Sequence, residues 1–378
     1  MKMRMTLAAM AALMMVATGC KKAGAPIVDG IKIGEFTSLT GMNATFGQSS
    51  NNGSQLAVQE INAAGGVLGK PIQLIVEDTQ SKPGETATIV HNLISKEHVV
   101  ALLGEVASGR SLEAAPIAQQ NKIPMISPAS TNEKVTQTGD YIFRICFVDS
   151  FQGKVMSKFA RSIGVKRVAI LMDSSKDYST GLAESFKADF TANGGEVVAE
   201  QSYAVSDKDF HSQLTAIKSQ NPEAIFLPDY YTEAPLIMLQ ARQLGIDVPF
   251  MGTDGWDSPE LLSVGGSAVE GGYFSNHFSH ENGLPKVQQF VKNYKTKYGV
   301  EPDSLAGLGY DSVYILVDAL KRAGSTDPVK LRDAIAATQN FDGITGLITL
   351  DANRNAIKSA VIIRIQEGKF RFLETVEP

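Results

Sequence analysis

Short apolar runs alternate with segments of helical hydrophobic spacing along most of this chain, and the alternation occurs twice. The first unit reads IKIGEF, a polar glycine-bearing loop, SQLAVQEINAAGG and IQLIVED. The second unit, RVAILMDSSKDYSTGLAESFKADFTANGGEVVAEQSY, repeats the order of strand, loop, helix, double glycine and strand. Strands separated by helices form parallel sheets that are covered on both faces. The pattern therefore predicts an α/β protein with two similar, doubly wound lobes.

The last third of the chain does not begin a third lobe. Its spacing predicts helices over 285–298, 304–323 and 328–337, followed by a meander of alternating strands. We expect the helices to return to the first lobe and the meander to the second, which gives three crossings in a three-strand hinge. The expected first lobe is 27–148 plus 277–344, and the expected second lobe is 149–276 plus 345–378.

The N-terminus has the features of a bacterial lipoprotein signal. A positively charged start and a short apolar run precede the small residues Ala17, Thr18 and Gly19, and then Cys20. This pattern predicts a signal peptide over 1–19 and a lipid on Cys20, which would tether a periplasmic protein to the outer membrane or cell envelope. The alternative is an ordinary signal peptide cut nearby, with Cys20 as a bystander.

Composition narrows the classes of function. The formal charge of −5 becomes −7 without Lys2 and Arg4, which argues against a nucleic-acid partner. Of the 378 residues, 359 follow the signal segment, enough for two domains. No second run of 18 apolar residues follows, so we expect an anchored rather than a membrane-spanning protein. Cys146 lies in the apolar run YIFRICF and is predicted to be an inert core thiol.

The sequence offers little for catalysis. His277 and His280 form the only histidine cluster, but their spacing is wrong for a metal-binding helix, and we interpret the segment as a solvated loop. Gly104, Gly109, Arg110 and Ser111 nearly spell a phosphate-binding loop after the strand VVALLG. Arg110 stands where the lysine would be, and is interpreted as a solvated first-turn side chain. We therefore expect no enzyme, no metal and no cofactor, and interpret the loop as a cradle for a small anion.

Polar and aromatic residues gather where the predicted strands end. The first lobe supplies the hydroxyls of Ser108 and Thr131, and the second supplies Tyr178, Tyr230 and Asp254. Donors in one lobe and a carboxylate in the other suit a zwitterion, and ligands of such sheets bind at the carboxyl ends of strands. Simpler roles stay open for each residue: helix caps for Ser108 and Thr131, packing for the tyrosines, and a turn cap for Asp254.

The chain resembles the leucine/isoleucine/valine-binding proteins of ABC importers across its mature length. The segments that carry the resemblance are FTSLTGMNATFGQ, INAAGGVLGKPIQLIVED, VVALLGEVASGRS, IPMISPASTNEKV, DYSTGLAESF and QARQLGIDVPFMGTDGW. The resemblance implies the type I periplasmic binding protein fold. It places Ser108 and Thr131 on the ligand carboxylate, and the Ala129 carbonyl and Asp254 on the ammonium.

The resemblance also implies which side chains enclose the ligand. Tyr178 and Tyr230 match aromatics that close over it, Phe46 stands where a tyrosine is common, and Leu305 where an aromatic often touches the ligand side chain. Some family members have a disulfide near the loop of Ser108, which Ala107 excludes here. Asp254 is one methylene shorter than the glutamate of some members, and Trp256 adds bulk beside it.

These observations lead to one expected function. We expect a monomeric receptor that closes on a small amino acid, branched-chain aliphatic before others, and delivers it to the membrane permease subunits of an ABC importer. Two alternatives remain: a sensor of amides, short acids or aromatic compounds on the same fold, and an enzyme acting on a nucleotide.

Overall fold

A computed structural model describes residues 30–378 of the chain. The expected signal peptide over 1–19 and the lipidation site Cys20 lie outside the described residues. Within residues 30–378, no helix is both long and apolar enough to cross a membrane.

The first lobe is built on a five-stranded parallel sheet in the order β2-β1-β3-β4-β5. Its strands are β1 Ile31–Thr37, β2 Ile72–Asp78, β3 Ala101–Leu103, β4 Met125–Ser127 and β5 Ile142–Arg144. Its helices are α1 Ala44–Ala63, α2 Glu85–Ser95, α3 Ser108–Asn121 and α4 Lys134–Gln137. Two apolar clusters cover the two faces of this sheet, as parallel strands require.

The second lobe has a seven-stranded sheet in the order β15-β14-β10-β9-β8-β6-β7. Its elements up to the second crossing are α5 Asp149–Ser162, β6 Arg167–Asp173, α6 Asp177–Ala192, β7 Glu196–Tyr203, α7 His211–Ser219, β8 Ala224–Phe226, α8 Ala234–Gln243, β9 Phe250–Gly252, α9 Pro259–Gly265 and β10 Tyr273–Asn276. Short 3-10 turns span Asp254–Trp256 and Gly266–Val269. Strands β6 to β10 are all parallel to one another, so the α/β prediction with two lobes is confirmed.

The remaining elements complete both lobes. They are α10 Pro285–Tyr298, α11 Ser304–Ala323, α12 Pro328–Ala336, β11 Phe341–Gly343, β12 Gly346–Leu350, β13 Ala356–Ile357, β14 Ala360–Gln366 and β15 Lys369–Val376. Helix α11 packs along α1 with the backbones in close approach. A Cβ atom on Gly53 would overlap the Ala306 carbonyl, and one on Gly309 would overlap the Ser50 carbonyl. Helices α10 and α11 therefore belong to the first lobe.

The contacts of strands β11 to β13 favour a third crossing later than the expected boundary at 344/345. Strands β11 to β13 form an antiparallel sheet, and the Thr345 amide donates to Asp311 of α11 at 2.9 Å. In the turn between β12 and β13, the Arg354 carbonyl accepts a hydrogen bond from the amide of Arg144 in β5 at 3.2 Å. Of these last strands, only β14 and β15 join the second sheet: β14 is antiparallel to β10, and β15 is antiparallel to β14. We therefore propose the third crossing between β13 and β14, because alternation alone does not show which sheet a strand joins.

Candidate ligand-binding site

The loop between β3 and α3 presents Ser108 at the start of a helix. The residue before it, Ala107, is the N-cap and makes no side-chain capping bond. Ser108 is 1% exposed, and its Oγ accepts a bond from the Asn132 amide at 3.3 Å. Its hydroxyl thus links two loops of the first lobe and does not cap α3. The amides of the first turn of α3, which have no partner within the helix, lie next to it in the chain.

The loop after β4 carries the second predicted hydroxyl. Thr131 is fully buried, and neither its amide nor its Oγ1 bonds to another residue of the described chain. The Ala129 carbonyl likewise accepts no hydrogen bond from the described residues. A buried polar group without a partner costs free energy, so these groups are candidates for contact with a ligand.

Arg144 holds that loop in shape from behind. Its side chain is fully buried and donates to the Ser130 carbonyl, and to the Asn132 carbonyl at 2.6 Å. Sequence reasoning missed this residue, although a charged side chain inside the apolar run YIFRICF was a usable signal.

Glu105 supports the neighbouring loop. It is 1% exposed, and its carboxyl accepts from Ser38 at 2.5 Å and from the Ala107 amide at 2.7 Å. Its own carbonyl accepts from Ser130 Oγ at 2.9 Å, which ties the loops of Ser108 and Thr131 together. Burial raises the pKa of Glu105.

In the second lobe, three donors hold the carboxylate of Asp254. Tyr178 Oη donates to Oδ1 at 2.7 Å and Gln152 Nε2 donates to the same oxygen at 2.9 Å. His277 Nε2 lies 3.1 Å from Oδ2. Asp254 is 5% exposed and opens the 3-10 turn Asp254–Trp256, while Ser258 caps α9. The simpler role of a cap for that helix is therefore filled by another residue.

The donors are themselves held in place. Gln152 Oε1 accepts from the Asp254 amide at 2.9 Å and from Ser275 Oγ at 2.8 Å, which fixes the orientation of its amide. The His277 ring stacks on Phe147 with centroids 3.7 Å apart. Burial lowers the pKa of His277, so the ring is neutral at neutral pH and donates from Nε2.

The prediction that His277 lies in a solvated loop is wrong. It is 2% exposed and contacts the predicted ligand-binding acid, because the first residue after β10 is still inside the lobe interface. Arg110 is not simply solvated either: its side chain is 17% exposed and pairs with Glu113 at 3.0 Å. The described residues contain no cluster of three or more His, Cys, Asp or Glu that could hold a metal ion.

Aromatic rings from both lobes meet at the interface. Tyr178 and Tyr230 stack with centroids 4.7 Å apart, and the edge of Phe46 meets Tyr230 at 5.4 Å and Tyr231 at 4.7 Å. Leu305 belongs to the same contiguous apolar cluster as these residues and Ala129. The structure thus brings the predicted aromatic and apolar residues into one cluster.

Lys176 supports Tyr230 from the second lobe. Its ammonium lies 5.0 Å from the centre of the Tyr230 ring and pairs with Asp229 at 2.7 Å and Glu233 at 3.0 Å. Burial opposes the charge on this lysine, but the two carboxylates prevail and raise its pKa. The ring is therefore held beneath a permanent cation.

The lobes are in contact, which defines a closed form. Tyr231 Oη donates to the Met42 carbonyl at 3.0 Å, and Lys134 pairs with Asp177 at 2.6 Å across the interface. A cleft of about 450 Å³ opens beside the site, and Ala107, Tyr178 and Tyr230 are among its lining residues. Two α/β lobes that close over buried polar groups define a hinged binding protein.

Comparison with known proteins gives the family. Residues 30–369 match the family model described as periplasmic binding protein, and the chain belongs to this family. It is 30% identical over 351 residues to Leu/Ile/Val-binding protein homolog 2 of Brucella abortus, covering 91% of this chain and 93% of that protein. This is a family of binding proteins, which confirms the expectation of a receptor rather than an enzyme.

Solved structures agree with this assignment. The leucine binding protein LivK of Thermotoga maritima is 42% identical with a TM-score of 0.88, covering 92% of this chain and 99% of that one. The branched-chain amino acid transporter substrate binding protein LivJ of Streptococcus pneumoniae, solved in complex with isoleucine, is 36% identical with a TM-score of 0.87. That match covers 92% of this chain and 100% of the LivJ chain. The fold expected from the family resemblance is confirmed.

Proposed function

We propose that the chain is a receptor for a branched-chain aliphatic amino acid, which it binds between its lobes and delivers to an ABC importer. The observation that carries the proposal is the division of charge across the interface. Unpartnered donors at Thr131 lie in one lobe, and the triply held carboxylate of Asp254 lies in the other. An amino acid has a carboxylate and an ammonium on one carbon, so it complements both halves at once.

Each ligand group then has a partner. The Ser108 and Thr131 groups donate to the carboxylate, while Asp254 and the Ala129 carbonyl accept from the ammonium. Phe46, Leu305, Tyr178 and Tyr230 provide apolar surface for an aliphatic side chain. The names of the similar LivK and LivJ proteins support leucine and isoleucine as the first candidates.

Closure follows from differential binding. Only the closed form makes both sets of contacts, so an amino acid stabilises that form over the open one. We propose that the closed form is what the permease subunits of the importer recognise, and that the receptor acts as a monomer.

A thermal-shift screen of the twenty amino acids tests this function. We expect leucine, isoleucine and valine to raise the melting temperature most, because ligands that bind only the folded state stabilise it. Aromatic acids, short acids and amides form the second panel, and ATP and GTP the third. Stabilisation by the second panel alone would contradict the proposal, since Asp254 would then have no cation to pair with.

The proposed location rests on the N-terminal pattern. We propose that the receptor acts in the periplasm, tethered to the outer membrane or cell envelope through a lipid on Cys20. Labelling cells with a radioactive fatty acid should mark the wild-type chain and leave Cys20→Ser unlabelled. A labelled Cys20→Ser variant, or an unlabelled wild-type chain, would contradict the lipid anchor.

A further inference from the structure

A second acidic region lies between the lobes, behind the wall of the proposed amino-acid site. Asp254 and Asp257 stand three residues apart in the second lobe, and Asp303 and Leu305 stand two apart at the start of α11. The amide of Ser304 donates to Asp257 Oδ2 at 2.7 Å across the interface. Asp257 and Asp303 thus line one region from opposite lobes.

A small cavity is lined by both Asp257 and Asp303. Its volume is about 20 Å³, close to the space that one water or one small ion needs. The oxygen-bearing side chains that line it are Asp257, Asn276, Ser279, Asp303 and Ser304. A wider cleft of about 380 Å³ shares Asp257 and Asp303 with it and gives a route from solvent. We call the small space the acidic cavity.

Polar groups at the acidic cavity are incompletely bonded. Ser304 is fully buried, and its Oγ has no partner among the described residues. Asp257 is 4% exposed, and its Oδ1 accepts no hydrogen bond within residues 30–378. Asp303 uses Oδ1 for Ser49 Oγ and the Ala306 amide. Asp257, Asp303 and Ser304 therefore have oxygen atoms that can accept a further hydrogen bond or bind a cation.

Closure makes this arrangement electrostatically costly. Asp257 comes from the second lobe and Asp303 from the first, so closing the lobes brings two like charges to one partly dry space. Lys295 is paired with Glu301 at the rim. A cation in the cavity would offset the repulsion. A shared proton would neutralise one acid but would leave the Ser304 hydroxyl and the cavity unfilled.

We propose that the acidic cavity binds one small monovalent cation, of which Na⁺ is the test case, when the lobes close. Hard cations take carboxylate, carbonyl and hydroxyl oxygens as ligands, which is the donor set present. Within residues 30–378, no group of three or more acidic, His or Cys side chains is arranged to hold a metal ion, which disfavours a transition metal. The inference rests on the proposed function, because the amino acid and the cation both stabilise the closed form. Each must then raise the affinity for the other by the same factor.

Calorimetry of leucine binding tests the coupling at constant ionic strength. The purified protein is titrated in sodium chloride and in choline chloride, whose cation is too large for the cavity. We expect leucine to bind about fivefold more tightly in sodium, at the lower end of usual allosteric coupling. Asp303→Asn and Asp257→Asn should abolish the difference between the salts. Glu200→Gln, which alters an exposed lysine-paired acid remote from both cavities, should retain it.

The pH dependence distinguishes the cation from a proton. Burial and the nearby Asp257 raise the pKa of Asp303 to about 7, so a proton competes with the cation below neutrality. The other titratable groups facing Asp303 are Glu301, His280 and Tyr294. Proton uptake or release on leucine binding is therefore measured in both salts beside the affinity. Proton uptake on leucine binding above pH 7, with no sodium effect, would overturn the proposal.

A second measurement separates this proposal from the proposed function. Thermal unfolding is followed in the two salts without any amino acid, for wild type and Asp303→Asn. A higher melting temperature in sodium for wild type alone supports the cation site even if no amino acid binds. Equal melting temperatures, together with equal leucine affinity in both salts, would overturn it.

Discussion

The two lobes build their halves of the site in different ways. In the first lobe, the proposed recognition groups are backbone atoms and hydroxyls on two loops that follow neighbouring strands. In the second lobe, a single carboxylate is held by Tyr178 of α6, Gln152 of α5 and His277 of the hinge. An anion can be bound by backbone amides, which every strand-to-helix loop supplies, whereas a cation needs an oriented acid.

This difference has a mechanical consequence. Arg144 and Glu105 hold the first half entirely within its own lobe. The second half includes His277, the first residue after β10, where the chain leaves that lobe. Recognition of the ligand carboxylate should therefore survive hinge motion unchanged, whereas recognition of the ammonium should depend on the hinge conformation.

Removing the carboxylate of Asp254 should weaken leucine binding more than any other substitution predicted here. Asp254→Ala leaves a buried ammonium without its partner, and we expect leucine affinity to fall by about 3 to 5 kcal/mol. Calorimetry of the purified variant measures the loss. Glu260→Ala removes an exposed acid of the same lobe and should bind like wild type. Unchanged affinity in Asp254→Ala would contradict the assignment of the ammonium to the second lobe.

Removing a hydroxyl from the first lobe should have a smaller effect. Ser108→Ala or Thr131→Val each delete one hydrogen bond to a charged group, which is worth about 1.5 to 3 kcal/mol. The backbone donors remain, so binding should weaken without being lost. Ser95→Ala on the exposed part of α2 is the matched control. A loss as large as that of Asp254→Ala would remove the proposed asymmetry between the lobes.

Substituting His277 should weaken leucine binding less than substituting Asp254 or the hydroxyl residues of the first lobe. His277→Leu removes one of three donors to Asp254, and we expect leucine affinity to fall by about 1 kcal/mol. His277→Gln places an N–H donor at similar reach and should restore part of the loss. Equal affinities for the two variants would show that His277 packs against Phe147 without positioning Asp254.

The smallest expected effect is on the pH dependence of stability. The buried ring has a pKa below its ordinary value of 6.5, so the unfolded chain binds more protons as pH falls through that value. The contribution of His277 to stability is present above pH 6.5 and decreases below it, by at most about 1.4 kcal/mol per pH unit. Denaturant unfolding of wild type and His277→Gln measures this difference. Parallel pH profiles would contradict a buried neutral histidine.

The contrast between the lobes also explains what the sequence could predict. Ser108, Thr131 and Asp254 follow strand ends, where the alternation of strands and helices locates a site without knowledge of contacts. The bounds of α11 agree with its helical spacing and with Asp303 as its N-cap. Local patterns were sufficient wherever the functional group belongs to the element that positions it.

Other parts of the site depend on residues that are distant in sequence. Gln152 lies on a helix whose polar spacing contains no sign that it would meet Asp254, 102 residues later. The histidine spacing and the turn that follows at Asn282-Gly283 predict a solvated loop at His277, whereas the side chain is buried. Alternation predicts strands at β12 and β13 but does not show that they pair with β11 and with each other. Each case requires tertiary packing, which periodicity does not encode.

The central claim is that the first lobe binds the ligand carboxylate and the second lobe binds its ammonium. Two leucine analogues, each lacking one of these groups, test it most directly. 4-Methylpentanoate keeps the carboxylate without the ammonium, and 3-methylbutylamine keeps the ammonium without the carboxylate. Affinities of both compounds are measured by competition against leucine for wild type, Ser108→Ala and Asp254→Ala. We expect Ser108→Ala to weaken only the acid and Asp254→Ala to weaken only the amine. Weakening of the amine by Ser108→Ala, with the acid unaffected, would contradict the account.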